Sequence, residues 1–159
     1  MSTLNFIGLD KAKSEKLANK LNQLLANFQV YYQNLRGFHW NIQGQNFFEL
    51  HAKFEEQYTD AQQKIDDIAE RILTLGSTPF HSFSTYLEST QIKESKNISD
   101  GLQAVQLTTD NIKSLLTIER EALAIASELD DEGSVTLLSD FISEQEKTVW
   151  MFTAWLGQK

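Results

Sequence analysis

Apolar residues recur along the chain at alternating three- and four-residue steps, the period of a helix that buries one face. The first such stripe passes through Leu17, Leu21, Leu24, Phe28, Tyr31 and Leu35 and predicts a helix from about Asp10 to Trp40, with Gly44 in the turn beyond it. Asn46 stands three residues before Glu49, the spacing of a capping box, and predicts the start of a second helix. Its stripe is Phe47, Leu50, Phe54, Tyr58, Ala61, Ile65, Ile68, Ile72 and Leu75, stopped by Gly76 and Pro79. A third helix is predicted from about Ser99 to Glu128, with Leu102, Val105, Ile112, Leu116 and Leu123 facing inward. A fourth carries Val135, Leu138, Ile142, Val149, Phe152 and Leu156, separated from the third by the acidic turn Asp130-Asp131-Glu132-Gly133.

The segment from Gly76 to Ile98 is longer than an ordinary helix-to-helix connection, so it is expected to run the length of the bundle, with a short helix at Ser82 to Leu87. One proline and seven glycines are too few turn signals for a sandwich or barrel. The expected fold is therefore all-α: a four-helix bundle with one long crossover between the second and third helices, the connectivity of ferritin-like bundles. Residues 1–159 read as a single domain, with 41% hydrophobic residues to supply its core.

Composition narrows the chemistry. Cysteine is absent, so a metal would have to be held by imidazole, carboxylate or carbonyl groups. A formal charge of -8 attracts cations and repels polyanions, although a surface charged only for solvation is the more ordinary account of it. The opening MSTLNFIGLD has neither a basic nor a long apolar region, and no stretch approaches the roughly 18 apolar residues of a membrane span, so a cytoplasmic location is expected.

The three histidines are His39, His51 and His81. With His51 at zero on a helical wheel, Glu55 falls near 40°, Asp66 near 60° and Glu70 near 100°, roughly 120° from the apolar stripe. One face of the second helix thus carries a histidine and three carboxylates directed away from the core of its own bundle. His51 and Asp66 lie about 22 Å apart along a straight helix, too far to share an ion. Two copies of the helix packed antiparallel about a two-fold axis would bring the His51 end of one to the Asp66 and Glu70 end of the other, giving two identical sites per dimer. His39, beside Trp40 at the end of the first helix, would complete a nitrogen and oxygen ligand set suited to ferrous iron. Spacing alone leaves a second reading open, in which these carboxylates are a solvated face and the histidines are ordinary polar residues near helix ends. His81 has no matching acid and reads as structural, and Asp67 and Arg71 read as surface or interface ion-pair residues.

The run Gly37-Phe38-His39-Trp40 with Gly44, then Asn46-Phe47-Phe48-Glu49-Leu50-His51, then Asp66-Asp67-Ile68-Ala69-Glu70-Arg71 with Leu75-Gly76, resembles the signature of Dps proteins, the mini-ferritins. The similarity extends over nearly the whole chain, including Trp150-Met151-Phe152. The resemblance implies a ferroxidase site between two-fold-related subunits, with His39 and His51 from one chain and Asp66 and Glu70 from the other. Glu55 matches a position where the family often has aspartate and is expected as a ligand or as a partner of one. The resemblance further implies a hollow dodecamer that oxidises ferrous iron with hydrogen peroxide and stores the ferric mineral, and it suggests Asp130, Asp131 and Glu132 as pore residues. An iron site inside one bundle, built on Glu-x-x-His motifs, lacks its motif here. The competing function is nucleoid protection by DNA binding. In the family this uses lysine-rich tails, whereas here Lys11, Lys13 and Lys16 are offset by Asp10 and Glu15, so binding is expected to be weak.

Overall fold

The computed structural model describes residues 3–158. Five helices follow in order: α1 (Lys11–Asn41), α2 (Phe47–Thr74), α3 (Phe83–Ser89), α4 (Gly101–Glu128) and α5 (Glu132–Trp155). The four long helices form the bundle, and α3 is the short helix expected within the crossover. α1 packs against α2, α3 and α4, and α4 packs against α5. The core is made by the predicted stripes, among them Leu17, Leu21, Leu24, Phe28 and Leu35 of α1 with Phe54, Ile68 and Ile72 of α2. Edge-on and tilted ring contacts, Phe28 on Phe141 and Phe38 on Phe54, tie α1 to α5 and α2.

Two local expectations are corrected. Asn46 sits at φ -97 and ψ 17, close to helical backbone, so its side chain cannot turn back and makes no cap bond. The capping box with Glu49 is not formed. Leu102, expected inward, is 59% exposed. The inward position at the start of α4 belongs to Gly101, where an added Cβ would lie 2.9 Å from Leu50 Cδ1, and the next residue is rotated out toward solvent.

The crossover between α2 and α4 is held by three asparagines of α1, all buried. Asn22 donates to the Thr78 carbonyl and accepts from the Phe80 amide. The Asn27 carbonyl oxygen accepts from the amides of Gln91 and Ile92 and from the Thr90 hydroxyl. Asn34 donates to the Lys93 carbonyl and accepts from the Ser95 amide. Side-chain amides here take the place of the backbone partners that an irregular segment lacks.

The acidic turn also departs from expectation. Asp131 is buried, caps α5 through the Ser134 amide, and pairs with Arg71 of α2 at 2.6 Å. Gly133 leaves room for that guanidinium, since a Cβ there would come within 2.8 Å of both terminal nitrogens. Asp131 therefore cannot line a pore, because its carboxylate is consumed inside its own chain, while Asp130 and Glu132 remain exposed. Arg71 and Asp67 were expected in surface or interface ion pairs; Arg71 instead pairs with the buried Asp131 of its own chain, and Asp67 accepts a hydrogen bond from Gln63.

Candidate metal centre

α1 and α2 are antiparallel neighbours joined by a tight turn at Gly44, whose φ of 108 needs a glycine. The turn is fixed to the start of α4 by the Gln43 amide, which donates to the Ser99 carbonyl at 2.9 Å. This places His39, in the last turn of α1, beside His51, in the second turn of α2.

The two imidazoles stack with centroids 3.8 Å apart and planes within 12°. Each bonds the other's backbone: His39 Nδ1 lies 2.6 Å from the His51 carbonyl oxygen, and His51 Nδ1 lies 2.7 Å from the His39 carbonyl oxygen. A carbonyl oxygen only accepts, so both Nδ1 atoms must carry the hydrogen. In the neutral ring the lone pair is then at Nε2 on both residues. The His39 carbonyl belongs to the final turn of α1, where carbonyls lack intrahelical donors, and the His51 carbonyl offers a second lone pair beyond its helix bond. Both tautomers and both ring orientations are thus set by the helix hairpin. This is the arrangement by which ligating histidines are usually held.

The pair is walled by aromatic rings. Phe47 stacks on His51 at 4.9 Å, and Tyr58 meets His39 edge-on at 5.3 Å. Tyr58 in turn meets Tyr32 of α1 edge-on at 6.0 Å, and Tyr32 lines an open groove with Gln29, Gln62, Gln63 and Asp66. A relay of ring contacts thus runs from His51 and His39 through Tyr58 to Tyr32, which lines the groove together with Asp66. Glu55, Asp66 and Glu70 are all exposed on α2. Among the described residues, no three histidine or carboxylate side chains of one chain converge closely enough to hold an ion. The structure brings His39 and His51 together and leaves Glu55, Asp66 and Glu70 spread along the helix. His81 is exposed in the crossover, its Nδ1 donating to the Pro79 carbonyl.

The stacking of the two rings, the bonds that fix them and the walls supplied by Phe47 and Tyr58 were not anticipated from sequence. A second polar cluster at mid-bundle was also missed, although its signal is present. Glu119 stands between Leu116 and Ala122 on the apolar stripe of α4, Gln145 stands between Ile142 and Val149 on that of α5, and Lys64 stands between Ala61 and Ile68 on that of α2. Glu119 is 0% exposed and accepts a hydrogen bond from Gln145 Nε2. Burial pushes its carboxyl up to about 8, against the opposing pull of the Gln145 bond and the Lys64 and Arg120 charges. Burial likewise raises the neighbouring Tyr31 phenol, and the charges of Asp60 and Glu119 raise it further. For Lys64, burial works to lower the ammonium's proton affinity, but bonds to Asp60 and Glu144 prevail and the net shift is upward.

Comparison with known proteins agrees with this architecture. The sequence model of the ferritin-like domain matches residues 18–159. A DNA protection during starvation protein of Porphyromonas gingivalis is 42% identical over 152 residues, covering 96% of each chain. The crystal structure of the Dps protein from Vibrio cholerae O1, described as a member of a broad superfamily of ferritin-like diiron-carboxylate proteins, is 58% identical. It covers 98% of both chains with a TM-score of 0.96. A Dps protein from Bacillus brevis is 37% identical with a TM-score of 0.88, covering 91% of this chain and 97% of its own. The chain belongs to the ferritin-like family, and within it to the Dps proteins.

Proposed function

We propose that this chain oxidises ferrous iron at sites shared between two-fold-related copies and stores the ferric product as mineral inside a hollow homo-oligomer, a dodecamer as in the family resemblance. The observation that carries this reading is the reciprocal locking of His39 and His51, which leaves two Nε2 lone pairs fixed at one end of an exposed helix face. Each half-site is incomplete within its own chain. Asp66 and Glu70 of the second copy supply the carboxylates, and Glu55, one turn beyond His51, stands as a ligand or as a partner of one.

The same flank of α1 carries the apolar means for such pairing. Phe83 and Leu87 of α3 are 82% and 50% exposed, beside a groove lined by Tyr32, Arg36, Tyr86 and Lys96. Covering that surface with a second copy removes it from water and sets the two α2 helices antiparallel.

Ferrous iron is the substrate, held by two imidazoles and two or three carboxylates that also suit the ferric product. With hydrogen peroxide as the oxidant, two ferrous ions each give one electron, the O–O bond breaks, and two protons complete two water molecules. The imidazoles keep their Nδ1 hydrogens throughout, because each carbonyl opposite can only accept.

The test is complementation. One variant carries His39→Ala with His51→Ala, and a second carries Asp66→Asn with Glu70→Gln. Each alone is expected to be inactive in ferrous oxidation. Unfolded together and reassembled, about half of the dimers are mixed and hold one intact site of two, so about a quarter of the native rate returns. A site contained in one chain cannot be rescued in this way, so no recovery in verified mixed oligomers sinks the proposal.

The name of the Porphyromonas gingivalis relative supplies a second reading, protection of DNA. For this chain we place that protection in the removal of iron and peroxide rather than in duplex binding, because the charge of -8 offers few phosphate contacts.

A further inference from the structure

We propose that hydrogen peroxide reaches both iron sites of a two-fold pair through one uncharged, water-filled chamber on the axis, formed where a polar groove of each copy meets its counterpart. The pairing and the oxidant are those of the function proposed above, on which this inference rests. The groove has a volume of about 530 Å³ and runs between α1 and α2, with Gln29 and Tyr32 on one wall and Thr59, Gln62, Gln63 and Asp66 on the other. Asp66 stands at one end. At the other, Thr59 follows Tyr58, whose ring joins Tyr32 of the groove to His39. These two ends serve different iron sites, because Asp66 is assigned to the histidines of the second copy.

Symmetry puts the groove on the axis. In the proposed pairing His51 of one copy meets Asp66 and Glu70 of the other, so the axis crosses α2 midway between them, at Thr59 and Asp60. On the wheel with His51 at zero, Thr59 falls near 80°, between Asp66 near 60° and Glu70 near 100°. Asp60 falls near 180° and is spent on Lys64. Thr59 thus lies about 12 Å along the helix from His51 and about 10 Å from Asp66. A contact of this symmetry sets the patch on the axis against its own copy, and a groove cannot fill a groove. The space left is far larger than the roughly 30 Å³ share of one water.

The lining decides what enters. Between Glu55 and Asp66 this face of α2 carries only Thr59, Gln62 and Gln63, neutral groups that both donate and accept, in a chain of net charge -8. Interfaces usually bury apolar residues at the centre and leave polar ones at the rim. Here the centre holds amides and a hydroxyl, while the exposed Phe83 and Leu87 stand off the axis on α3. Such walls keep water and pass a small uncharged molecule that hydrogen-bonds as water does, which describes hydrogen peroxide. An anion gives up hydration there and meets neither lysine nor arginine in return.

The experiment uses the assembled oligomer. The chain contains no cysteine, so Thr59→Cys supplies one thiol per chain. The probes are methanethiosulfonates that share one reacting group: methyl, which is small and neutral, sulfonatoethyl, which is anionic, and benzyl, which is neutral and bulky. Relative to their rates on the unfolded chain, the methyl reagent is expected to outrun the sulfonatoethyl reagent about tenfold. Benzyl labelling is expected to lower ferrous oxidation at limiting peroxide roughly tenfold, while anaerobic ferrous binding, read by calorimetry, is unchanged. Stripping the label with a thiol reductant, removed before the assay, restores the rate. Gln62→Cys, at a second point of the same groove, is expected to behave alike, so the test survives if one variant fails to fold. Equal access of the two small reagents would mean an open surface, and a thiol that neither reaches would mean a packed interface. Unchanged peroxide dependence in fully labelled oligomer of native mass would mean another route. Each of these overturns the inference. Native protein that neither binds ferrous iron nor oxidises it fails the function proposed above instead, and the reagent ratio, read without iron, still decides whether the chamber exists.

Discussion

The two histidines at the α1/α2 hairpin and the acid at the middle of the bundle are both polar clusters in contact with the core, yet they are built in opposite ways. At the hairpin, the ring N–H of each histidine has a carbonyl acceptor at 2.6 or 2.7 Å, and the lone pairs that remain are Nε2 of His39 and of His51. At mid-bundle, the Glu119 carboxyl is buried and bonded by Gln145 of the facing helix, while Lys64 pairs with Asp60 and Glu144. Local backbone satisfies the first cluster, and side chains satisfy the second. A site for an incoming ion needs the first pattern: donors spent, lone pairs fixed, and one side left for another chain.

The largest expected effect falls on the hairpin. His39→Ala with His51→Ala is expected to slow ferrous oxidation at least a hundredfold, since loss even of groups that only orient ligands costs tenfold to a hundredfold. Helix content by circular dichroism should be retained. A rate within threefold of native would place the chemistry elsewhere and erase the contrast.

Next comes pH. The Glu119 carboxyl moves from an ordinary value of 4.5 to about 8 on folding, so between those values the folded chain holds a proton that the unfolded chain has released. This contribution favours folding most at low pH, declines as pH rises from about 4.5 to about 8, and is level above that. Glu119→Gln is expected to flatten this slope. It should gain on the order of 3 kcal/mol relative to native at pH 8.5 and little at pH 4.5, as read from urea unfolding at the two values. An unchanged slope would show that Glu119 is ionised in the fold and bring the two clusters closer in kind.

Smaller effects are expected at the acidic turn. Asp130→Asn with Glu132→Gln should slow iron uptake a fewfold at low salt and hardly at all at high salt, if these exposed carboxylates gather cations around a symmetry axis. Equal uptake at low salt would leave them as solvating groups. The smallest signal expected is in a gel-shift assay with duplex DNA at physiological salt, where the intact oligomer should not retard the duplex. Retardation without bridging metal ions would overturn that expectation.

The helices, the long connection and the short α3 were legible because apolar period and turn residues act locally. So was the separation of His51 from Asp66, which follows from helical rise alone. The reciprocal bonding of the imidazoles was not legible, because it depends on the rotation of α1 against α2, which the tight turn and its bond to Ser99 determine together. Asp131 read as one of three surface acids, and only the packing of α2 against the start of α5 turned it inward to Arg71. Lys64, Glu119 and Gln145 were visible as polar interruptions of apolar stripes, but periodicity alone does not say that three interruptions on three helices meet.

The three asparagines of α1 act on the crossover like pegs set at fixed intervals along a rail. Asn22, Asn27 and Asn34 bond the backbone near Thr78 and Phe80, near Gln91 and Ile92, and near Lys93 and Ser95. Because they bond main-chain atoms, which every residue type but proline offers in the same form, the sequence between the pegs is free to drift while its residue count is not. One residue inserted between Phe80 and Gln91 would have to bulge outward or pull a peg from its hole. This connection is therefore expected to vary among homologues in composition but scarcely in length, the reverse of the usual pattern for loops.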